Sequence, residues 1–126
     1  MILLDTHVWL WHNVAPGRIS RAGRATIERA SEIGVSVVSC WELALLESAG
    51  RVELDRGVRA WVSRALADER TSAIPVTSDI ALRAGGLDGL RDPADSVIYA
   101  TAVELDLQLV TKDARIAEHD PARVVW

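Results

Sequence analysis

The amino-acid sequence predicts an α/β fold: a mostly parallel sheet with helices on both faces, in three layers. Two observations predict it. Short aliphatic runs recur along the chain, and between them lie stretches whose apolar residues have helical spacing. The runs are mostly apolar, Ile2-Leu3-Leu4 wholly and Val35–Val38 and Leu107–Val110 with one polar residue in four, as expected of strands covered on both faces. Parallel strands need crossovers between them, and strands alternating with helices supply these. With 126 residues, no repeat and no long linker, the chain reads as one domain, 1–126, large enough to bury a core.

Taken in order, Ile2-Leu3-Leu4 opens the chain as a buried strand. Arg18 to Ile33 carries Ile19, Ala22, Ile27, Ala30 and Ile33 at helical spacing, with Gly34 as its stop. Val35-Ser36-Val37-Val38 is the second strand, continued directly by a helix from Cys40 to Ser48 that ends at Gly50. Gly57 to Asp68 buries Val58, Trp61, Ala65 and Leu66 as a helix. Ala73-Ile74-Pro75-Val76 is a strand placed by Pro75 at a sheet edge or a strand start. Asp79 to Ala84 is a short helix stopped by Gly85-Gly86. Pro93 to Leu105 is a helix with proline at its favoured first position. Leu107 to Val110 is a strand, Ala114 to Glu118 a short helix, and Val124-Val125-Trp126 a last strand.

Composition narrows the function classes. The chain is 49% hydrophobic and 25% charged, within the range of ordinary globular proteins. No apolar run approaches the ~20 residues that span a bilayer, and the N-terminus lacks the basic and apolar regions of a signal peptide. Cys40 is alone, so neither an internal disulfide nor a cysteine zinc site is available. A cytoplasmic protein without membrane contact is expected. The net charge of −4 argues against nonspecific nucleic-acid binding by the whole surface. Positive charge comes almost entirely from arginine, mostly on helix faces, with Lys112 the sole lysine. No phosphate-binding glycine loop is present, which disfavours nucleoside triphosphate chemistry.

Four acids occupy comparable places. Asp5 directly follows the first strand. Glu42 lies in the first turn of the helix after the second, Asp95 in the first turn of the helix opened by Pro93, and Asp113 just past the Leu107–Val110 strand. Each has a local explanation. Ser39-Cys40-Trp41-Glu42 has the spacing of a capping box, Asp92-Pro93-Ala94-Asp95 that of an N-cap with a dipole-favoured acid, and Asp113 fits a cap. Asp5 is hardest to explain this way, because Thr6 and His7 do not open an obvious helix. Together the four mean more. The carboxyl ends of parallel strands share one edge, where ligand sites form. Crowded carboxylates repel and raise one another's pKa, so a fold that gathers them needs a cation, and an all-oxygen set suits Mg²⁺ or Mn²⁺. Such a centre can activate water and orient a phosphodiester.

The segments Met1-Ile2-Leu3-Leu4-Asp5-Thr6-His7, Ser39-Cys40-Trp41-Glu42-Leu43, Asp92-Pro93-Ala94-Asp95 and Leu109-Val110-Thr111-Lys112-Asp113 resemble, in order and spacing, the PIN-domain ribonucleases. Gly50-Arg51-Val52 and Val124-Val125-Trp126 resemble the VapC toxin branch. The resemblance implies a Mg²⁺- or Mn²⁺-dependent endoribonuclease, the toxin of a toxin–antitoxin pair, with RNA as substrate. It further implies a homodimer silenced by a small cognate antitoxin in the active-site groove. By matching motifs, Asp5 and Asp95 become the principal metal ligands, Glu42 the second-motif acid and Asp113 the fourth. Thr6 and Thr111 match positions that place hydroxyls near the acids. Ser96 departs from the pattern, since many relatives carry arginine there.

Three histidines, His7, His12 and His119, are too scattered for a metal triad. The five tryptophans read mainly as core or dimer contacts, with base stacking by Trp9 or Trp11 as the sharper alternative. Two other classes compete with the nuclease: a phosphoacceptor signalling domain, suggested by Thr111-Lys112 at a strand end, and a catalytically dead interaction module whose acids are only caps.

Overall fold

The computed structural model describes residues 1–126. Five strands form one sheet, every pairing parallel: β1 (Ile2–Leu4), β2 (Ile33–Ser36), β3 (Thr71–Ile74), β4 (Leu109–Val110) and β5 (Val124–Val125), in the order β3-β2-β1-β4-β5. Seven α-helices connect them: α1 (Thr6–Val14), α2 (Arg21–Arg29), α3 (Val37–Ser48), α4 (Gly57–Leu66), α5 (Ser78–Gly85), α6 (Pro93–Glu104) and α7 (Ala114–His119). No helix is long and apolar enough to cross a membrane.

Strand pleating divides the core in two. Ile2, Leu4, Ile33, Val35 and Val110 face one side, packed with Val8, Trp9 and Leu10 of α1 and with Leu43, Ile27 and Trp61. Leu3, Ile74 and Leu109 face the other, against Ile98, Tyr99 and Ala102 of α6 and Ile116 of α7. The expected three-layer α/β/α arrangement is therefore present, and β3 lies at the sheet edge with Pro75 just beyond its end.

Several boundaries differ from the sequence expectation, each for a local reason. The helix expected from Arg18 to Ile33 is split. Pro16–Arg18 forms a 3₁₀ turn, and Ser20 then caps α2 by accepting from Gly23 N at 3.0 Å. Ile33 and Gly34 belong to β2, so Gly34 stops no helix. A Cβ there would sit 2.5 Å from Ile74 Cδ1 and 3.2 Å from Met1 Sδ, which explains the glycine by close packing. Val37 and Val38, expected in the strand, open α3, because Ser36 caps that helix by accepting from Val38 N at 3.2 Å. The proposed capping box of Ser39 and Glu42 does not exist: Ser39 is buried inside α3 and Glu42 lies in its second turn. Finally, a helix does follow Asp5. Its first turn contains no acid, and Thr6 is a poor helix former, so α1 announces itself weakly in the sequence.

Candidate active site

The order β3-β2-β1-β4-β5 means that the chain winds outward from β1 on one side and returns to its other side. The switch point between β1 and β4 opens a crevice at their carboxyl ends. Leu4 is in register with Val110, so the residues that follow, Asp5 and Thr111, emerge side by side. There the structure has a cleft of about 460 Å³ whose lining includes Asp5, Glu42, Asp92, Asp95 and Asp113. All four acids singled out in the sequence reach it. So does a fifth, Asp92.

Asp5 is buried and held at both oxygens. Its Oδ1 accepts from Thr6 N at 2.7 Å, as the N-cap of α1, and its Oδ2 accepts from Thr111 Oγ1 at 2.6 Å. Thr111 in turn accepts from Asp113 N at 3.0 Å, and Thr6 Oγ1 lies 2.8 Å from Ser39 Oγ. Two threonines and a serine thus lock the ends of β1, β4 and α3 around one carboxylate. A carboxylate has about four acceptor sites, so Asp5 keeps lone pairs free for another ligand. Burial raises its pKa, partly offset by the hydrogen bonds from Thr111 and Thr6.

Glu42, Asp92 and Asp95 approach most closely, with one oxygen from each within 4.8 Å of the others. Glu42 Oε1 is buried without a hydrogen-bond partner, and burial raises its pKa, offset in part by the Thr6 hydroxyl and reinforced by Asp5 and Asp92. Asp95 is pushed from 3.8 up to about 8, first by burial and then by Asp5, Asp92 and Asp113. Buried acids normally find partners. An orphaned carboxylate oxygen beside a carboxyl that holds its proton to such a high pH is a donor set of oxygens alone, the kind that fits a hard divalent ion. Three of the acids are also helix caps: Asp5 of α1, Asp92 of α6 and Asp113 of α7. The positive ends of three helices therefore converge on the cleft and offset part of the repulsion. Capping and gathering are the same arrangement here, not alternatives.

From the sequence alone Asp92 reads only as a cap. It does accept from Asp95 N at 3.1 Å. Its spacing of three from Asp95 across a helix start was the available signal, since such residues share a face. Ser96 is buried, with its hydroxyl 3.1 Å from the carbonyl oxygens of both Leu90 and Asp92, so it fastens the turn carrying Asp92 instead of pairing with an acid. Trp9 is a core residue, stacked edge-on against Trp61 at 5.1 Å.

The sheet order also bears on the signalling alternative, because phosphoacceptor domains of doubly wound type run 2-1-3-4-5. Comparisons with known proteins identify the family. The PIN domain family model matches residues 2–120. Ribonuclease VapC22 of Mycobacterium tuberculosis (strain ATCC 25618 / H37Rv) is 39% identical over 129 aligned positions, which cover 99% of this chain and 98% of that protein. Among solved structures, a toxin–antitoxin complex from Klebsiella pneumoniae superposes with a TM-score of 0.68 at 19% identity, covering 100% of this chain and 97% of the other. VapBC2 from Rickettsia felis, bound to a DNA fragment from its promoter, gives 0.68 at 15% identity, covering 98% and 97%. At those identities the superpositions speak for the fold alone. On the full-length match in sequence and the family model, the chain belongs to the PIN-domain family, among the VapC-type ribonucleases.

Proposed function

We propose that the acidic cleft is the active site of an endoribonuclease that hydrolyses RNA phosphodiester bonds with Mg²⁺ or Mn²⁺, and that the chain is the toxin of a toxin–antitoxin pair. The observation that carries this reading is the trio Glu42, Asp92 and Asp95, with its orphaned Glu42 oxygen, beside the locked carboxylate of Asp5. Asp5, Glu42, Asp95 and Asp113 are the residues assigned to the metal, with Asp92 added to them. A bound divalent cation supplies water activation and neutralisation of charge at the phosphodiester. The chain itself supplies position. Thr6 and Thr111 fix Asp5, Ser96 fixes the Asp92 turn, and α1, α6 and α7 aim their N-termini at the place where the phosphate must sit.

The partner assignments rest on different observations. The solved structures of similar fold include toxin–antitoxin complexes, which supports a small cognate antitoxin. A cleft with five acids would take an antitoxin's basic side chain in place of the cation. Homodimerisation is supported by an exposed apolar stripe on α3: Val37, Trp41 and Leu45, one turn apart, are 39%, 51% and 49% exposed.

Asp5→Asn tests the assignment. An asparagine oxygen still accepts from Thr6 N, so the fold and α1 survive, while the charge that a cation needs is lost. Cleavage of RNA in Mg²⁺ or Mn²⁺ should fall by about a hundredfold or more, with an unchanged circular dichroism spectrum. Undiminished cleavage by the folded variant would remove the assignment.

A further inference from the structure

We propose that His7 is the platform on which a base of the RNA stacks beside the scissile bond, so that the cleft admits an unpaired nucleotide. This deepens the nuclease reading and rests on it. The lining is not all acidic. Beside the five acids, α1 contributes a wall of His7, Val8 and Trp11, and Leu46, Arg51 and Lys112 are also in the lining. Carboxylates and a cation account for the phosphate. They give no use to the aromatic and aliphatic side chains beside them, and a cleft of about 460 Å³ lies in the range that holds a small organic ligand.

The exposed ring on that wall is His7. It makes no hydrogen bond and no ion pair, and it sits one turn before Trp11, with ring centroids 5.9 Å apart at 52°. Trp11 is only 8% exposed and is held from other directions, with the Arg18 guanidinium 4.6 Å over its ring and Trp126 at 6.2 Å. Trp11 therefore supports the platform and His7 presents it, so the ring is ordered before substrate arrives and little entropy is lost on stacking. Arg51 and Lys112 are exposed and form no ion pair despite five acids in the same cleft, which leaves both for backbone phosphates on either side. A base within a duplex has both faces covered by its neighbours and cannot stack on a protein ring.

The test uses the Asp5→Asn protein in millimolar Mg²⁺ and a fluorescein-labelled single-stranded RNA of roughly ten nucleotides, against an abasic sugar–phosphate oligomer of equal length. Fluorescence anisotropy should show the base-bearing RNA bound about tenfold more tightly. Adding His7→Ala should erase that preference, His7→Phe should keep it, and His7→Lys should lose it although lysine places a cation there. Arg51→Ala should weaken both oligomers alike. No preference in the parent, or a preference that survives His7→Ala, overturns the proposal, as does retention by His7→Lys with loss by His7→Phe. Cleavage of the same RNA by the wild-type chain in Mg²⁺ is measured in parallel, so failure of the stacking site and failure of the nuclease reading are separate results.

Discussion

The carboxyl group of Asp95 is where burial and like charge act most strongly, and its pKa of about 8 against an ordinary 3.8 has a consequence for stability. Between those values the folded, cation-free protein holds a proton that the unfolded chain has released. Its stabilising contribution is complete below about pH 4 and is lost as pH rises to about 8. Asp5 and Glu42 are shifted in the same direction. In chelator, the melting temperature should therefore fall between about pH 5 and about pH 8, and Asp95→Asn should flatten much of that slope. Added Mg²⁺ or Mn²⁺ should reverse the trend, because cation and proton compete for the same oxygens and binding releases protons. A wild-type slope identical to that of Asp95→Asn would mean that the carboxyl is not perturbed in this way.

At the level of elements, the site depends on strand ends arriving in register, and β2 shows how tightly that is set. Gly34 pairs with Leu3 on one side and Ser72 on the other, where Ile74 and Met1 leave no room for a methyl group. The crowding atoms are ends of flexible side chains, so Gly34→Ala should fold after a shift. It should cost about 1–2 kcal/mol, lowering the melting temperature by roughly 4–8 °C. Cleavage per folded molecule should be preserved, because Gly34 lies two residues before the cap that starts α3 and away from the cleft lining. A thermal melt beside an activity assay checks both, and an unchanged melt would show that β2 packs more loosely than this.

For the molecule as a whole, the α3 stripe connects assembly to the site, since Trp41 precedes Glu42 on the same helix. A face of Val37, Trp41 and Leu45 left half in water is costly, at roughly 1 kcal/mol for each side chain, about half of what complete burial contributes. Covering it with the same face of a second copy would bring two acidic clefts into one particle. Trp41→Glu with Leu45→Glu should shift sedimentation to the monomer and leave Glu42 in place. An unaltered sedimentation coefficient would rule out this face as the contact.

Much of the fold was legible because strand and helix patterns are local. Continuous apolar runs marked β1, β2 and β4, proline and Asp92 marked the start of α6, and order along the chain implied a parallel sheet. The acids Asp5, Glu42, Asp95 and Asp113 stood out by their place after strands and at helix starts. Where helices begin was less legible, since Ser36 and Ser39 are both competent caps and only packing against Thr6 decides that Ser39 turns inward. The sequence by itself determined that Asp5, Glu42 and Asp113 come to the carboxyl edge, because parallel strands send all their ends there. Only the tertiary structure decided which oxygens approach within 4.8 Å, that Asp92 joins them, and that His7 is the ring left exposed in the cleft lining. Those depend on distances between elements far apart in the chain, which no local pattern encodes.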